Sequence, residues 1–232
     1  MLDLHTSDSH AIDDFGRLLL SANRTNLGSF EEAARVCVKA IYDTFRQPDG
    51  HGTFALVRIY RLCRYDELLP ELQAIASADV PQWMALMGTI GNEPAWCDRR
   101  TSQGHKAIQA VGDRSPMLTA AFEQIGLDKI VGAKRDSTNS PIMKNADLFT
   151  NYFHVPNAAG SPFIPAQHEF VKPYHIQSVV GLGSAFLSKA IHLTLCFSDI
   201  FIDDDVAQKF ARLSEYVSTL LAIYDGRGTI WA

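Results

Sequence analysis

The chain has 232 residues, of which 47% are apolar and 20% charged, an ordinary balance for a globular protein. Its 21 Lys and Arg residues against 26 Asp and Glu residues give a net charge of −5, so we expect no basic face for nucleic-acid binding. Residues 1–23 lack the basic start of a secretory signal, and no apolar run is long enough to span a membrane. We therefore expect a cytoplasmic protein.

The four cysteines are widely spaced, at Cys37, Cys63, Cys97 and Cys196. No two of them form a C-x-x-C pair, which excludes the usual spacing of a zinc ribbon or a thioredoxin-type centre. Reduced thiols fit the expected cytoplasmic location.

Hydrophobic periodicity predicts one α+β domain around an antiparallel sheet. Ser29 followed by Glu32 is typical of a capping box and predicts where a long amphipathic helix begins. In chain order we predict helix 11–24, helix 30–46, strand 52–63, helix 66–77, strands 82–90 and 104–111, helix 116–125, one helical turn near 167–173, strands 176–187 and 190–199, and a final helix 203–224.

Three connections have distinct patterns. Residues 132–142 are polar without a period, which predicts a long loop, either a lid or a disordered segment. Ser188 and Lys189 predict a hairpin turn between the last two strands. The acidic run 203–205 fits the N-terminus of the final helix better than a calcium site. That helix has a heptad-like apolar seam, suited to packing on a sheet or on a partner helix.

Two blocks and the hairpin after them resemble a known family. The blocks are PAWCDRRTSQGHKAI, residues 94–108, and YFHVPNAAGSPFIPAQHEFVKPYHIQSVVGLG, residues 152–183. They resemble GAF-like sensory domains of bacterial signalling proteins, of the type found ahead of PAS, histidine-kinase or cyclase modules. The resemblance implies a GAF-like antiparallel sheet with flanking helices and long terminal helices. We divide the chain into a helical extension 1–28, a sensor domain 29–225 and a tail 226–232.

The resemblance also implies a function in signal transduction. A small-molecule ligand would lie between the sheet and the segments 93–105 and 151–175, and the terminal helices would form a homodimer and pass the signal to an output protein or module. The chain lacks an NKFDE-type sequence and a Cys-His pair, so neither a cyclic nucleotide nor a covalently attached bilin is expected.

Several side chains in these segments are candidates for contacting the ligand. Arg99 and Arg100 would hold an anionic group, although neighbouring residues of a strand point to opposite sides, so at most one is expected to face the pocket. Trp96 would provide an aromatic wall. We assign no catalytic or metal-binding residue. The candidate ligand-binding residues are Trp96, Arg99, Arg100, His105, His154, Ser161, Gln167 and Tyr174.

Two alternatives from other functional classes stay open. His154 could be the axial ligand of a haem cofactor, or simply a core histidine bonded to the backbone. Cys97 with His105 could form a small thiol-dependent enzyme, or Cys97 could be an inert thiol. The segment 93–105 could also be a structural loop in which Trp96 packs in the core and Asp98 pairs with an arginine.

Overall fold

The computed structural model describes residues 1–21, 27–131 and 151–232, and shows a six-stranded antiparallel sheet with helices on both faces. The predicted α+β class is confirmed. The predicted loop 132–142 and the end of the predicted helix 11–24 lie outside the described residues. Among the described residues, no helix is long and apolar enough to cross a membrane.

The helices and strands follow the predicted order closely. The hairpin turn at Ser188 and Lys189 is confirmed, since the amide of Phe186 bonds to the carbonyl of Ala190 at 2.8 Å. The helices are α1 Ser9–Ser21, α2 Phe30–Thr44, α3 Pro70–Gln73, α4 Pro116–Ile125, α5 Asp204–Ala211 and α6 Leu213–Arg227, and the strands are β1 Phe54–Arg64, β2 Gln82–Gly91, β3 Ala107–Gln109, β4 Phe153–Val155, β5 Ser178–Ala185 and β6 Ile191–Ser198.

The strand order across the sheet is β3-β2-β1-β6-β5-β4, and every neighbouring pair is antiparallel. The central strand β1 is buried over its whole length except at Arg64. Val57 of β1 lies opposite Ile90 of β2 and Cys196 of β6. Both faces of β1 are therefore covered, as its nearly continuous apolar sequence predicts.

Helices α1, α2, α5 and α6 cover one face of the sheet. Helix α2 contributes buried Ala34, Cys37 and Ile41 to this core. It approaches β2 so closely that a Cβ atom at Gly88 would lie 2.8 Å from the backbone of Ala34, so only glycine fits there. The capping prediction holds in part: the amide of Glu32 bonds to the Ser29 hydroxyl, but the Glu32 carboxylate accepts from Gly28.

The opposite face of the sheet is covered by α4, by a π-helical turn at Gln167–Val171 and by long connections. Leu56, Tyr60 and Leu62 of β1 face this side, while Val57 and Ile59 face the α2 side. The period-two alternation of strand side chains thus divides the core into two layers.

Three predicted elements differ from the structure. The predicted helix 66–77 is a 3₁₀ turn at Tyr65–Glu67 followed by the short α3, because Pro70 has no amide hydrogen and fits only the start of a helix. The predicted strand 104–111 is limited to β3. The predicted helix 203–224 is interrupted at Arg212, whose amide bonds to the carbonyl of Lys209 at 3.2 Å.

The two chain termini pack on the same core as the central domain. In the predicted extension 1–28, Ile12, Phe15 and Leu19 are buried against it. In the predicted tail 226–232, the carbonyls of Thr229 and Ile230 accept hydrogen bonds from the first amides of α2, each at 2.9 Å. The tail therefore satisfies amides that a helix N-terminus otherwise leaves unpaired.

Candidate ligand-binding cavity

A cavity of about 330 Å³ lies between the sheet and the connections that cover its second face. Its floor is formed by the sheet, whose strands are held by hydrogen bonds on both sides. Its roof comes from the loop between β2 and β3, from β3, from the start of α4 and from the segment around the π-helical turn. The lining residues are Leu56, Arg58, Tyr60, Trp96, Gln103, Gly104, His105, Ile108, Ser115, Met117, Leu118, Ile164, Pro165, Ala166, Glu169, Phe170, Tyr174, Leu195 and Phe197.

One wall of the cavity is aromatic. The ring centroids of Trp96 and Tyr174 are 4.4 Å apart, and those of Trp96 and Phe170 are 5.7 Å apart. Phe170 meets Phe197 of β6 edge-on at 5.1 Å. These edge-to-face contacts favour a defined arrangement of the rings, so the wall joins both predicted ligand-binding segments to the sheet.

Arg58 places a positive charge in the floor of this cavity. The residue is only 8% exposed. Its guanidinium donates to the Tyr60 hydroxyl at 3.3 Å and to the Ser102 hydroxyl at 3.1 Å, while its Nε–H has no partner among the described residues. Among the described residues, no carboxylate lies within 4.0 Å of the guanidinium. A buried charge without a counter-charge is costly, which distinguishes Arg58 from an ordinary core residue.

Arg61 shows what a paired arginine on the same strand looks like. It lies on the opposite face of β1, where its Nη2 is 2.6 Å from Oδ1 of Asp225 in α6. The guanidinium also lies over the ring of Phe30, 5.5 Å from its centroid. Arg61 is thus compensated by the Asp225 carboxylate, whereas no carboxylate in the described part of the chain compensates Arg58.

His105 and Glu169 lie at the mouth of the cavity. His105 has a positive φ of 59°, so the backbone is in the left-handed region. Burial lowers the pKa of His105, and the charge of Arg58 lowers this pKa further. The imidazole is therefore neutral at pH 7 and can both donate and accept a hydrogen bond. Glu169 is exposed, and its carboxylate is not within ion-pair distance of Arg58.

The N-terminus of α4 opens onto the same cavity. Ser115 caps this helix by accepting a hydrogen bond from the amide of Leu118, and Met117 and Leu118 line the cavity. The first turn of α4 contains no acidic residue. Its dipole therefore adds a positive potential on the same side of the sheet as Arg58.

Trp96, His105 and Tyr174 are the three predicted ligand-binding residues that the structure brings together in the cavity. The two predicted arginines lie elsewhere. Arg99 points to the α2 side, with Nε 3.1 Å from a carboxylate oxygen of Glu31, and Arg100 is exposed and 3.7 Å from Asp98.

The other three predicted residues have roles in holding the chain. His154 has one ring nitrogen 2.8 Å from Asp204 and the other 3.0 Å from the Ile202 carbonyl, so neither is free for a haem iron. Gln167 accepts from the Gly160 amide and donates to two carbonyls of its own loop. The Ser161 hydroxyl accepts from the Phe163 amide at 3.3 Å. None of the three lines the cavity.

Cys97 also lies outside the cavity that His105 lines. Its thiol contacts the carbonyl oxygens of Gly91 and Glu93 at 3.4 and 3.5 Å. Within the described part of the chain, no three His, Cys, Asp or Glu side chains are grouped as a metal site would require.

The sequence reasoning did not identify Arg58 as a site residue. The signal was present: an arginine in the middle of a strand whose two faces are both apolar must be buried and must find a partner. What the sequence could not show is that Arg61 finds its partner in a distant helix and Arg58 does not.

Comparison with known proteins supports a fold but no closer relationship. No family model and no curated protein matches the sequence. Among solved structures, the free methionine-R-sulfoxide reductase from Neisseria meningitidis in complex with its substrate matches with a TM-score of 0.55 and 9% identity, over 96% of this chain and 95% of that one. The GAF domain of an Acinetobacter phosphoenolpyruvate-protein phosphotransferase matches with a TM-score of 0.50 and 14% identity, over 94% and 96% of the two chains.

A third solved structure belongs to a larger protein. The bacteriophytochrome from the photosynthetic bacterium R. palustris matches with a TM-score of 0.50 and 8% identity, over 96% of this chain and 39% of that one. Together with the antiparallel sheet and its flanking helices, these similarities show that the chain has a GAF-like fold.

Proposed function

We propose that the chain is a sensory or regulatory domain that binds a small molecule in the cavity on the second face of the sheet. The observation that carries this proposal is the cavity itself. It has a volume of about 330 Å³, a floor formed by the sheet, and a mainly apolar lining of aromatic and aliphatic side chains with several polar ones, which is the usual composition of a ligand pocket.

A role in bacterial signalling is part of the same proposal. It is supported by the likeness in fold to a GAF domain of a phosphotransferase and to a bacteriophytochrome. The likeness to the methionine-R-sulfoxide reductase raises the question of catalysis. We propose no catalytic activity, because the exposed thiol of Cys97 lies outside the lining of this cavity.

The loop between β2 and β3 offers a route from the cavity to the other side of the molecule. We call residues 93–106 the rim loop. Trp96 of this loop lines the cavity, and Ser102 accepts a hydrogen bond from Arg58. Arg99, in the same loop, pairs with Glu31 of α2 and lies over the ring of Trp231, 5.2 Å from its centroid.

A ligand that moves Trp96 or Ser102 would therefore change how Arg99 holds the C-terminal segment. The tail in turn bonds to the first amides of α2. In our proposal, ligand binding shifts the population of tail positions, and a partner protein or module reads that shift.

A cavity-filling variant tests the proposed function. Ile108 of β3 lines the cavity and is half-buried, so Ile108→Trp occupies cavity volume without entering the centre of the core. We expect small molecules that raise the melting temperature of the wild type to lose that effect on the variant. Equal protection of both proteins by every active compound would contradict binding in this cavity.

A further inference from the structure

We infer that the ligand is a small aromatic carboxylic acid whose carboxylate binds Arg58 and whose ring lies against the aromatic wall. This inference rests on the proposed function and specifies the class of ligand.

Arg58 is the only cationic side chain that lines the cavity among the described residues, and no carboxylate compensates it. Its two bonded nitrogens donate to neutral hydroxyl groups, which satisfy hydrogen bonds but carry no opposite charge. The Nε–H is buried and has no partner among the described residues, so the guanidinium has hydrogen-bonding capacity that these residues do not use. A carboxylate accepts hydrogen bonds from two guanidinium nitrogens at once, so it is well suited to bind a guanidinium that no carboxylate of the described residues compensates.

Tyr60 adds a second donor for the same anion. Its hydroxyl oxygen accepts from Arg58, and the hydroxyl hydrogen has no acceptor among the described residues. The Ser102 hydroxyl, by contrast, has its hydrogen directed to the Gly104 carbonyl at 3.2 Å. Arg58 and Tyr60 therefore form a pair of converging donors, with Ser102 holding the guanidinium in place.

The α4 N-terminus supports a single negative charge on the ligand. A helix N-terminus attracts an anion with about half an elementary charge, and Arg58 supplies one full charge. These contributions total about one and a half positive charges, and the carboxylate of Glu169 in the lining repels a second negative charge, so a carboxylate is favoured over a phosphate dianion. The walls specify the rest of the ligand, since Trp96 and Tyr174 present ring faces and edges on which an aromatic group can pack.

Glu169 is the anionic side chain that could compete with a ligand for Arg58. It lies at the exposed mouth of the cavity and does not touch Arg58. If the Glu169 carboxylate were the natural partner of Arg58, then Glu169→Gln would lower the melting temperature of the protein and leave the affinity for the acids unchanged. If the ligand supplies the anion, Glu169→Gln removes a repulsive charge at the mouth, and acids bind at least as tightly as to the wild type.

Matched pairs of acids and amides test the inference. Phenylacetate and indole-3-acetate are compared with phenylacetamide and indole-3-acetamide, which have the same shape and no charge, and with phenyl phosphate. Binding is measured by titration calorimetry on the full chain. We expect each acid to bind about tenfold or more tightly than its amide, because hydrogen bonds to an ionised group are stronger. We expect Arg58→Met to abolish this difference and the exposed Arg100→Gln to preserve it.

A second experiment compares melting temperatures and needs no ligand. Arg58→Met removes a buried charge that no carboxylate of the described residues compensates, so the ligand-free variant should melt at the same temperature as the wild type or higher. A large loss of melting temperature would assign Arg58 a structural role and overturn the inference.

The remaining outcomes separate the inference from the proposed function. If the amides bind as tightly as the acids, the cavity is a binding site but not an anion site. If phenyl phosphate binds and the acids do not, or if no compound of either series binds, the carboxylic-acid class is wrong. Neither of these last results contradicts the proposed function, which the cavity-filling variant tests separately.

Discussion

Arg58 and Arg61 are three positions apart on β1 and lie on opposite faces of the sheet, each buried. Arg61 pairs with Asp225, at an exposed fraction of 4% and 3% for the two side chains. Removing one partner of such a pair leaves the other charge buried and uncompensated, which costs more than the pair itself contributes.

We therefore predict that Arg61→Met lowers the free energy of unfolding by about 3–5 kcal/mol. Chemical denaturation of the variant and the wild type measures this difference. Arg100→Met, at an exposed position of the rim loop, serves as the control and should change the free energy by less than about 0.5 kcal/mol. A loss for Arg61→Met no larger than the control would show that the pair with Asp225 does not stabilise the fold.

His192 is the second residue whose burial has a measurable consequence. It lies in β6, stacks on Phe186 and bonds to the Ser218 hydroxyl at 2.8 Å, while its Nδ1 has no partner. Burial lowers the pKa of His192 to about 3. The unfolded chain binds a proton near pH 6.5, and the folded chain does not until the pH is far lower, so stability is lost as the pH falls below 6.5.

We predict that His192 contributes about 2 kcal/mol to the loss of stability between pH 7 and pH 5. Denaturation of His192→Leu at both pH values should show a correspondingly smaller loss of the free energy of unfolding than the wild type shows. An identical pH dependence in His192→Leu and the wild type would mean that His192 takes up its proton normally in the folded state.

The elements differ in how well local sequence determines them. The edges of β1, β2, β5 and β6 agree with the predicted strands to within two residues, because their apolar runs are long and bounded by turns. The prediction of one helix over residues 66–77 is wrong because Pro70 can only begin a helix and therefore divides this segment. The packing direction of the final helix was left open by the sequence, and its seam residues Val217 and Leu220 lie in the core on the sheet side.

The rim loop explains why the site was only partly predictable. The positions of Trp96 and His105 in the cavity lining could be predicted from their residue types and from the segment 93–105 that contains them. The alternation argument for Arg99 and Arg100 assumed a strand, but these residues lie in a turn closed by the bond from the Ser102 amide to the Asp98 carbonyl. Which arginine is buried, and against which face, depends on contacts with α2 and the tail that sequence spacing does not encode.

The contact between the rim loop and the C-terminal tail can be tested by a substitution in the tail. Trp231 donates from its indole to the Glu67 carbonyl at 2.7 Å and lies under Arg99. Trp231→Ala should release the tail from α2 and speed hydrogen exchange at the amides of Phe30 and Glu31 by about tenfold. Leu187→Ala, at a fully exposed hairpin position, is the control. Unchanged exchange at both amides would show that the tail stays bound without Trp231.

At the scale of the whole molecule, the predicted divisions 1–28 and 226–232 share one core with the central domain. The α1 helix packs on α6, where Gly16 lies so close to Tyr216 that a Cβ atom would overlap the ring. Asp13 pairs with Arg212 at the junction of α5 and α6. Much of the apolar surface that a dimer through the terminal helices would use is therefore already buried within the chain.

The homodimer remains a prediction, and sedimentation velocity of the full chain tests it. A dimer through the terminal helices requires contacts beyond the face of α1 that holds Ile12 and Phe15, and exposed Leu18 is the residue available for them. Leu18→Glu should then shift the sedimentation coefficient towards that of a monomer. A wild-type chain that sediments as a monomer at all concentrations would exclude the homodimer.

Native mass spectrometry of freshly purified protein tests most directly whether the cavity binds a small molecule. We predict that the wild type carries added mass from a co-purified ligand, that Ile108→Trp carries none, and that unfolding releases the added mass in one step. A wild type at its bare polypeptide mass, or the same added mass on the wild type and on Ile108→Trp, would contradict a ligand-binding role for the cavity.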